Sequence, residues 1–136
     1  MLKLRIWVAL VVLTGVSLSA PKPARADGTC AERHVCVWKD ANFSGCKATL
    51  SFGSNSWKDT EHWDDCPGSP ADEASSFMNR SVGSVWFATK PNGKGSRLCA
   101  ASGASGNVPT KFNDRFESHA VYGEGYDPHC EVTVRS

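Results

Sequence analysis

The 136-residue chain reads as an all-β protein built from one duplicated unit. Three observations carry that reading. Short runs of β-branched and aromatic residues recur between clusters of Gly, Pro, Asn and Ser. No window sustains the i, i+3, i+4, i+7 apolar spacing of a long helix. One pattern also occurs twice, which marks an internal repeat. In its first copy Trp38, Phe43 and Gly45 give aromatic-x4-aromatic-x-Gly, and Ala71-Asp72-Glu73-Ala74-Ser75-Ser76 follows. In the second, Trp86 and Gly93 repeat the spacing with Pro91 where Phe43 stood, and Asn113-Asp114-Arg115-Phe116-Glu117-Ser118 follows.

Taken in order, the chain opens with Lys3 and Arg5 ahead of an apolar run from Ile6 to Leu18. Ala24-Arg25-Ala26 then supplies small residues at −3 and −1, so residues 1–26 are expected to be a signal peptide and 27–136 a single domain. The run is short of the ~20 apolar residues that a membrane span needs, and Pro21 and Pro23 follow it closely. Strands are expected at Val35–Lys39, Lys47–Phe52, Ser75–Asn79, Ser84–Thr89, Ser96–Ala101, His119–Tyr122 and Glu131–Arg135. A helical turn fits around Ser56–Trp63. Pro91–Lys94 reads as a tight turn, and the Gly-, Ser- and Asn-rich run Ala100–Lys111 as a long exposed loop. Such regular short strands imply a sandwich or barrel. Trp38, Trp57, Trp63 and Trp86 are read as its core, since each can bury roughly 150–250 Å².

Cleaving the leader removes Lys3, Arg5, Lys22 and Arg25 from 15 basic residues, leaving 11 against 14 acidic ones and a net charge of −3. Without a basic patch, neither nucleic acid nor an anionic membrane is an expected partner. All six cysteines, Cys30, Cys36, Cys46, Cys66, Cys99 and Cys130, lie in the exported part. An even count in an oxidising compartment predicts disulfides, among about 15 possible pairings. The pairing that closes loops within each half and ties back the C-terminus is Cys30–Cys36, Cys46–Cys66 and Cys99–Cys130. Zinc is disfavoured, because there is no C-x2-C pair and His34, His62, His119 and His129 are scattered.

Enzyme motifs are missing. The sequence has no H-E-x-x-H, no Walker A and no G-x-S-x-G elbow, so no catalytic activity is expected. Glu61, His62, Asp64 and Asp65 read as a solvated charged loop. Asn79-Arg80-Ser81 has the form of a glycosylation acceptor, which a bacterial-type leader makes uninformative.

The aromatic corner Val35–Gly45 and the Phe112-Asn113-Asp114-Arg115 segment resemble the βγ-crystallin superfamily. The leader, the Cys30-x5-Cys36 start and the length of 27–136 are similar to its secreted bacterial branch of metalloproteinase inhibitors. The resemblance implies a β-sandwich of two Greek keys, about 30–82 and 83–136, stapled by disulfides. It implies a secreted, extracellular and monomeric proteinase inhibitor whose partner is an extracellular proteinase. By order along the chain, the reactive bond would be Cys99–Ala100, presented on an exposed loop running to Val108. The family's loop is closed by a second cysteine, which the segment Ala100–Ser105 lacks. The resemblance also implies calcium loops drawing on Asp72, Glu73, Ser75, Asn113, Asp114 and Glu117. Ala71 and Glu117 depart from that signature, and Ser75, Ser76 and Ser118 would alternatively cap backbone turns. No cofactor is required, and calcium is an optional one. The rival functions are a calcium-binding structural or stress-related βγ-crystallin and an exported antimicrobial protein, neither with a protease target.

Overall fold

The computed structural model describes residues 28–123 and 129–136; the expected leader, 1–26, lies outside them. The described strands are β1 (Val35–Asp40), β2 (Ser44–Leu50), β3 (Gly53–Ser54), β4 (Ser76–Asn79), β5 (Ser84–Ala88), β6 (Arg97–Ala100), β7 (Ser105–Asn107), β8 (Ser118–Tyr122) and β9 (Cys130–Val134). A single turn of helix, α1 (Trp57–Thr60), follows β3, and a 3-10 turn occupies Pro91–Gly93. All seven expected runs are strands. The additional strands β3 and β7 are only two and three residues long.

Two sheets result, with strand orders β2-β1-β4-β7 and β3-β8-β5-β6-β9. Each half keeps three strands in its own sheet and sends its third strand to the other. Thus β3 pairs with β8, and β7 pairs with β4. This is a sandwich of two interlocked Greek keys. The last strand, β9, runs parallel to β6 and extends the second sheet.

Alternation along each strand decides what faces inward. Val35 and Val37 of β1, Phe77 of β4, Val85 and Phe87 of β5, and Leu98 and Ala100 of β6 form the core with Trp57, Trp63, Phe112 and Phe116. Cys36 and Trp38 point to the opposite face of β1, where the N-terminal segment and Phe43 cover them as a second, smaller cluster. Trp38 and Phe43 meet edge to face there, with ring centroids 5.2 Å apart. All three disulfides have the expected pairing, and no cysteine is free.

The second copy of the corner requires a correction. Ala88, not Trp86, stands opposite Ser118 as Trp38 stands opposite Ser76. Left-handed backbone falls on Asn42, Phe43 and Gly45 in the first corner and on Asn92, Gly93 and Gly95 in the second. The counterpart of Trp38-x4-Phe43-x-Gly45 is therefore Ala88-x4-Gly93-x-Gly95, two residues later than the aromatic spacing suggests. Glycine adopts positive φ without a side-chain penalty, so neither aromatic is needed at this corner. Trp86 lies instead on the outer face of β5, half-buried under the Arg97 guanidinium at 4.4 Å.

The serine closing each signature ties its corner down. Ser76 Oγ donates to the Asp40 carbonyl at 2.8 Å and accepts from the Phe43 N–H at 3.1 Å. Ser118 Oγ does the same for the Lys90 carbonyl at 2.7 Å and the Gly93 N–H at 3.0 Å. Both are buried, so each hydroxyl satisfies backbone groups that water cannot reach.

His119 on β8 is the largest polar side chain in the core. The Trp57 indole N–H can only donate, so His119 Nδ1 accepts it at 2.7 Å and Nε2–H donates to the Ser51 carbonyl at 2.7 Å. Burial holds its pKa below the ordinary value of 6.5, against the opposing pull of the Ser51 carbonyl and the Glu61 carboxylate. A second proton would have to sit on Nδ1, facing the indole N–H. The unfolded chain therefore binds this proton more readily than the native one, and stability is lost as pH falls below 6.5. Urea midpoints measured between pH 7.5 and 5.5 are expected to decline for the native sequence. His119→Gln should flatten that decline, at the cost of a lower midpoint throughout.

Candidate functional site

The sandwich has two chemically distinct ends. At one, the two signature segments meet the two corners. Asp72 and Asp114 both adopt positive φ, which aspartate tolerates better than most residues. The Asp72 N–H donates to the Phe116 carbonyl at 3.0 Å, and the Asp114 N–H donates to the Ala74 carbonyl at 3.1 Å. Each segment is thus held by the other, and their side chains interleave.

Ser75 Oγ lies 3.2 Å from Asp114 Oδ1, joining the first signature to the second. Lys39, Asp40, Asp72, Glu73, Ser75 and Asp114 line one open cavity. On the related side, Glu117 hydrogen-bonds Asp72. Partial burial raises its pKa above 4.5, as do the bond to Asp72 and that residue's charge, while Lys90 acts in the opposite sense. Asp72 and Asp114 thus serve both pairs across the repeat, an arrangement that sequence order does not reveal. Glu73 is otherwise engaged, accepting from the Trp63 indole N–H at 3.2 Å and facing Lys39 Nζ at 3.8 Å. Asn113 does not line that cavity; its N–H turns back to the Pro109 carbonyl at 3.0 Å.

Calcium takes six to eight hard oxygen ligands in a flexible shell. Asp40, Asp72, Ser75 and Asp114 offer that chemistry in one place, and a cation would also relieve the repulsion between the neighbouring carboxyl groups of Asp72 and Glu117. The donors are of the type the ion takes, and among the described residues no three of these carboxylates converge into a ready cluster. Asp72, Ser75 and Asp114 would hold it, with Lys39 as the opposing charge. Cys46, Cys66 and Asp65 do cluster, but both sulfurs are committed to a disulfide.

The expected reactive bond is placed differently. Cys99 and Ala100 are 1% and 0% exposed, in a strand hydrogen-bonded on both sides, to β5 and to β9. The run after them is only partly the exposed loop expected: Gly103, Ser105 and Asn107 are exposed, while Ala104 and Val108 are buried and β7 between them pairs with β4. Its composition suggests a loop. Yet pairing with β4 satisfies its backbone. A protease cannot reach Cys99–Ala100 while the sheet is intact.

What the residue pattern did not single out lies at the other end. Among the described residues the exposed large apolar side chains are Phe52, Val82 and Val132, and the first two are 73% and 77% exposed. Phe52 lines a cavity with Arg33, His34, Ser51, Ser81 and Val121, and Val82 follows Ser81 in the turn between β4 and β5. In the sequence, Phe52 reads as the end of a strand and Ser81 as part of an uninformative acceptor motif. Only the exposure of the two apolar side chains sets this end apart, and sequence does not carry exposure.

Two interlocked Greek keys with exchanged third strands and paired corners define a βγ-crystallin-like fold. Solved structures agree. One from work on the evolution of the eye-lens βγ-crystallin domain fold superposes with a TM-score of 0.59 at 16% identity, covering 73% of this chain and 94% of that one. A βγ-crystallin domain from Flavobacterium johnsoniae gives 0.54 at 20% identity, over 68% of this chain and 98% of that one. One from Clostridium beijerinckii gives 0.53 at 22% identity, over 65% and 97%. No curated protein matches the sequence. The profile of peptidase inhibitor family I36 matches residues 23–89. The chain is thus similar to peptidase inhibitor family I36 over residues 23–89 and shares its fold with βγ-crystallin domains. No helix among the described residues is long and apolar enough to cross a membrane, and three disulfides suit an extracellular protein.

Two measurements check this geometry. Millimolar calcium is expected to raise the melting temperature by mass action, and Asp72→Ala combined with Asp114→Ala to abolish the rise. An unchanged curve for the native sequence would leave the signatures with turn capping alone. Ala100→Leu, placed in a filled core, is expected to destabilise the fold by about 1–3 kcal/mol in denaturant titration. A neutral result would mean that this strand is not packed as described.

Proposed function

We propose that the protein is a secreted inhibitor of an extracellular metallopeptidase of the thermolysin-like class, acting as a monomer through non-covalent contact. The observation that supports this reading is the peptidase-inhibitor match over residues 23–89. The leader expected at 1–26 belongs to the same reading, and the three disulfides on a small β-scaffold suit a protein that must survive beside active proteases. Inhibition would come from a surface that needs no rearrangement, since rigid partners lose little conformational entropy on docking. Calcium at the Asp72, Ser75 and Asp114 end would act on stability and would take no part in the contact.

Assay of the purified secreted chain against thermolysin-like, serine and cysteine peptidases tests the proposal. Inhibition of the metallopeptidase with little effect on the other two classes is expected. If none of the three is inhibited at a large molar excess, the reading is wrong, and a structural, calcium-binding βγ-crystallin describes the protein better.

A further inference from the structure

Resting on that reading, we infer that the inhibitory contact is the β4–β5 turn, with the Val82 side chain entering an apolar specificity pocket of the peptidase and Phe52 packing beside it. The turn is built to be rigid. Asn79, fully buried at its base, donates from Nδ2 toward the carbonyls of Gly83 at 2.9 Å, Ala100 at 3.0 Å and Ala101 at 3.1 Å. Its Oδ1 accepts from the Ser81 N–H at 3.0 Å and from the Ser81 hydroxyl at 2.6 Å. Ser102 Oγ donates to the Ser81 carbonyl at 2.5 Å.

Neighbouring backbone fixes the flanks. The Arg80 N–H donates to the His34 carbonyl and the Arg33 N–H to the Arg80 carbonyl, both at 2.9 Å. Arg80 Nη1 reaches the Cys30 carbonyl at 2.7 Å, next to the Cys30–Cys36 bridge. Gly83 packs so closely that a Cβ would stand 2.2 Å from the Tyr122 carbonyl oxygen, which excludes every other residue there.

All of this order surrounds one apolar side chain that is left 77% exposed. An exposed Val is unremarkable alone. Val82 differs because the residues on both sides of it are buried or bonded, so its ordering has been completed before any partner arrives. A pre-ordered apolar tip is what a concave, apolar protease pocket binds at least entropic cost. The turn and Phe52 also lie within residues 23–89, the part that matches the inhibitor family, whereas Cys99–Ala100 lies outside it.

The test measures the inhibition constant of the secreted chain toward the peptidase inhibited in the panel. Val82→Asp is expected to weaken it by about a hundredfold and Phe52→Asp by about tenfold, the scale of one misfilled apolar pocket. Val132→Asp, an apolar-to-acid change on β9, is the control and should leave it unchanged. All three sites are exposed, so melting temperatures should stay near that of the native chain. If the native chain inhibits but Val82→Asp and Phe52→Asp bind as tightly, the contact lies elsewhere while the inhibitor reading survives. If the native chain inhibits nothing, both fall. If it dimerises in sedimentation and Val82→Asp dissociates the dimer without changing inhibition, this end joins two copies and the assignment is overturned.

Discussion

The exchange of third strands between the two keys is the constraint on which the rest of the molecule depends. Neither key can bury its inner face alone, because each lacks the strand it has sent across. β3 contributes only Gly53 and Ser54 to its host sheet, and β7 only Ser105–Asn107. Short as they are, these strands bring Trp57 behind β3 against Phe87, Phe116 and His119 of the second key. They also set Ala104 and Val108 against the common core. Aromatic contacts such as Trp57–Phe87, Trp57–Phe116 and Phe77–Phe87 cross between the halves, so burying them requires both. Folding of one half without the other would leave that surface in water.

Duplication explains the carboxylate end as well. The exchange brings each signature segment beside the other, so Ser75 meets Asp114 and Asp72 meets Glu117. Departures from the family signature then act in trans. Glu117 stands at the position equivalent to Ser75, and the carboxyl group it adds faces Asp72 from the other copy. One half of the repeat thus has a hydroxyl against a carboxylate, and the other has two carboxyl groups against each other. The raised affinity of Glu117 for its proton weakens the fold as pH rises above 4.5, the opposite sense to His119.

Much of the fold was legible because alternation and turn residues report local backbone directly. Val35 and Val37, Val85 and Phe87 all announce strands whose inner faces the structure confirms. The cysteine pairing was also anticipated, since each bridge closes a loop within a half or anchors an end. The corner of the second key was misread by two residues. Trp86 mimics Trp38, while the actual equivalent, Ala88, carries no signature, and glycines at 93 and 95 do silently what Phe43 and Gly45 do in the first copy. The same silence misled at Ala100–Lys111, where small residues that usually mark loops form a short edge strand between the buried Ala104 and Val108 instead. Candidate site residues were found where carboxylates clustered in sequence, but their partners were not. The exposed apolar end left no mark at all, since a pattern of residue types does not say which valine is uncovered.

The strand β9 gives the second sheet a different ending from the first. A bare β6 would present a row of unpaired amides and carbonyls along Arg97–Ala100, an invitation to any passing extended chain. β9 covers that row in parallel, and the Cys99–Cys130 bond keeps it there even though its own side chains at Glu131, Val132 and Thr133 face water. The bridge therefore guards solubility more than it guards the core. Outside the cell that guard is permanent. Inside a reducing compartment the same chain would carry an adhesive margin, so oxidation and safe dispersal are the same event for this protein.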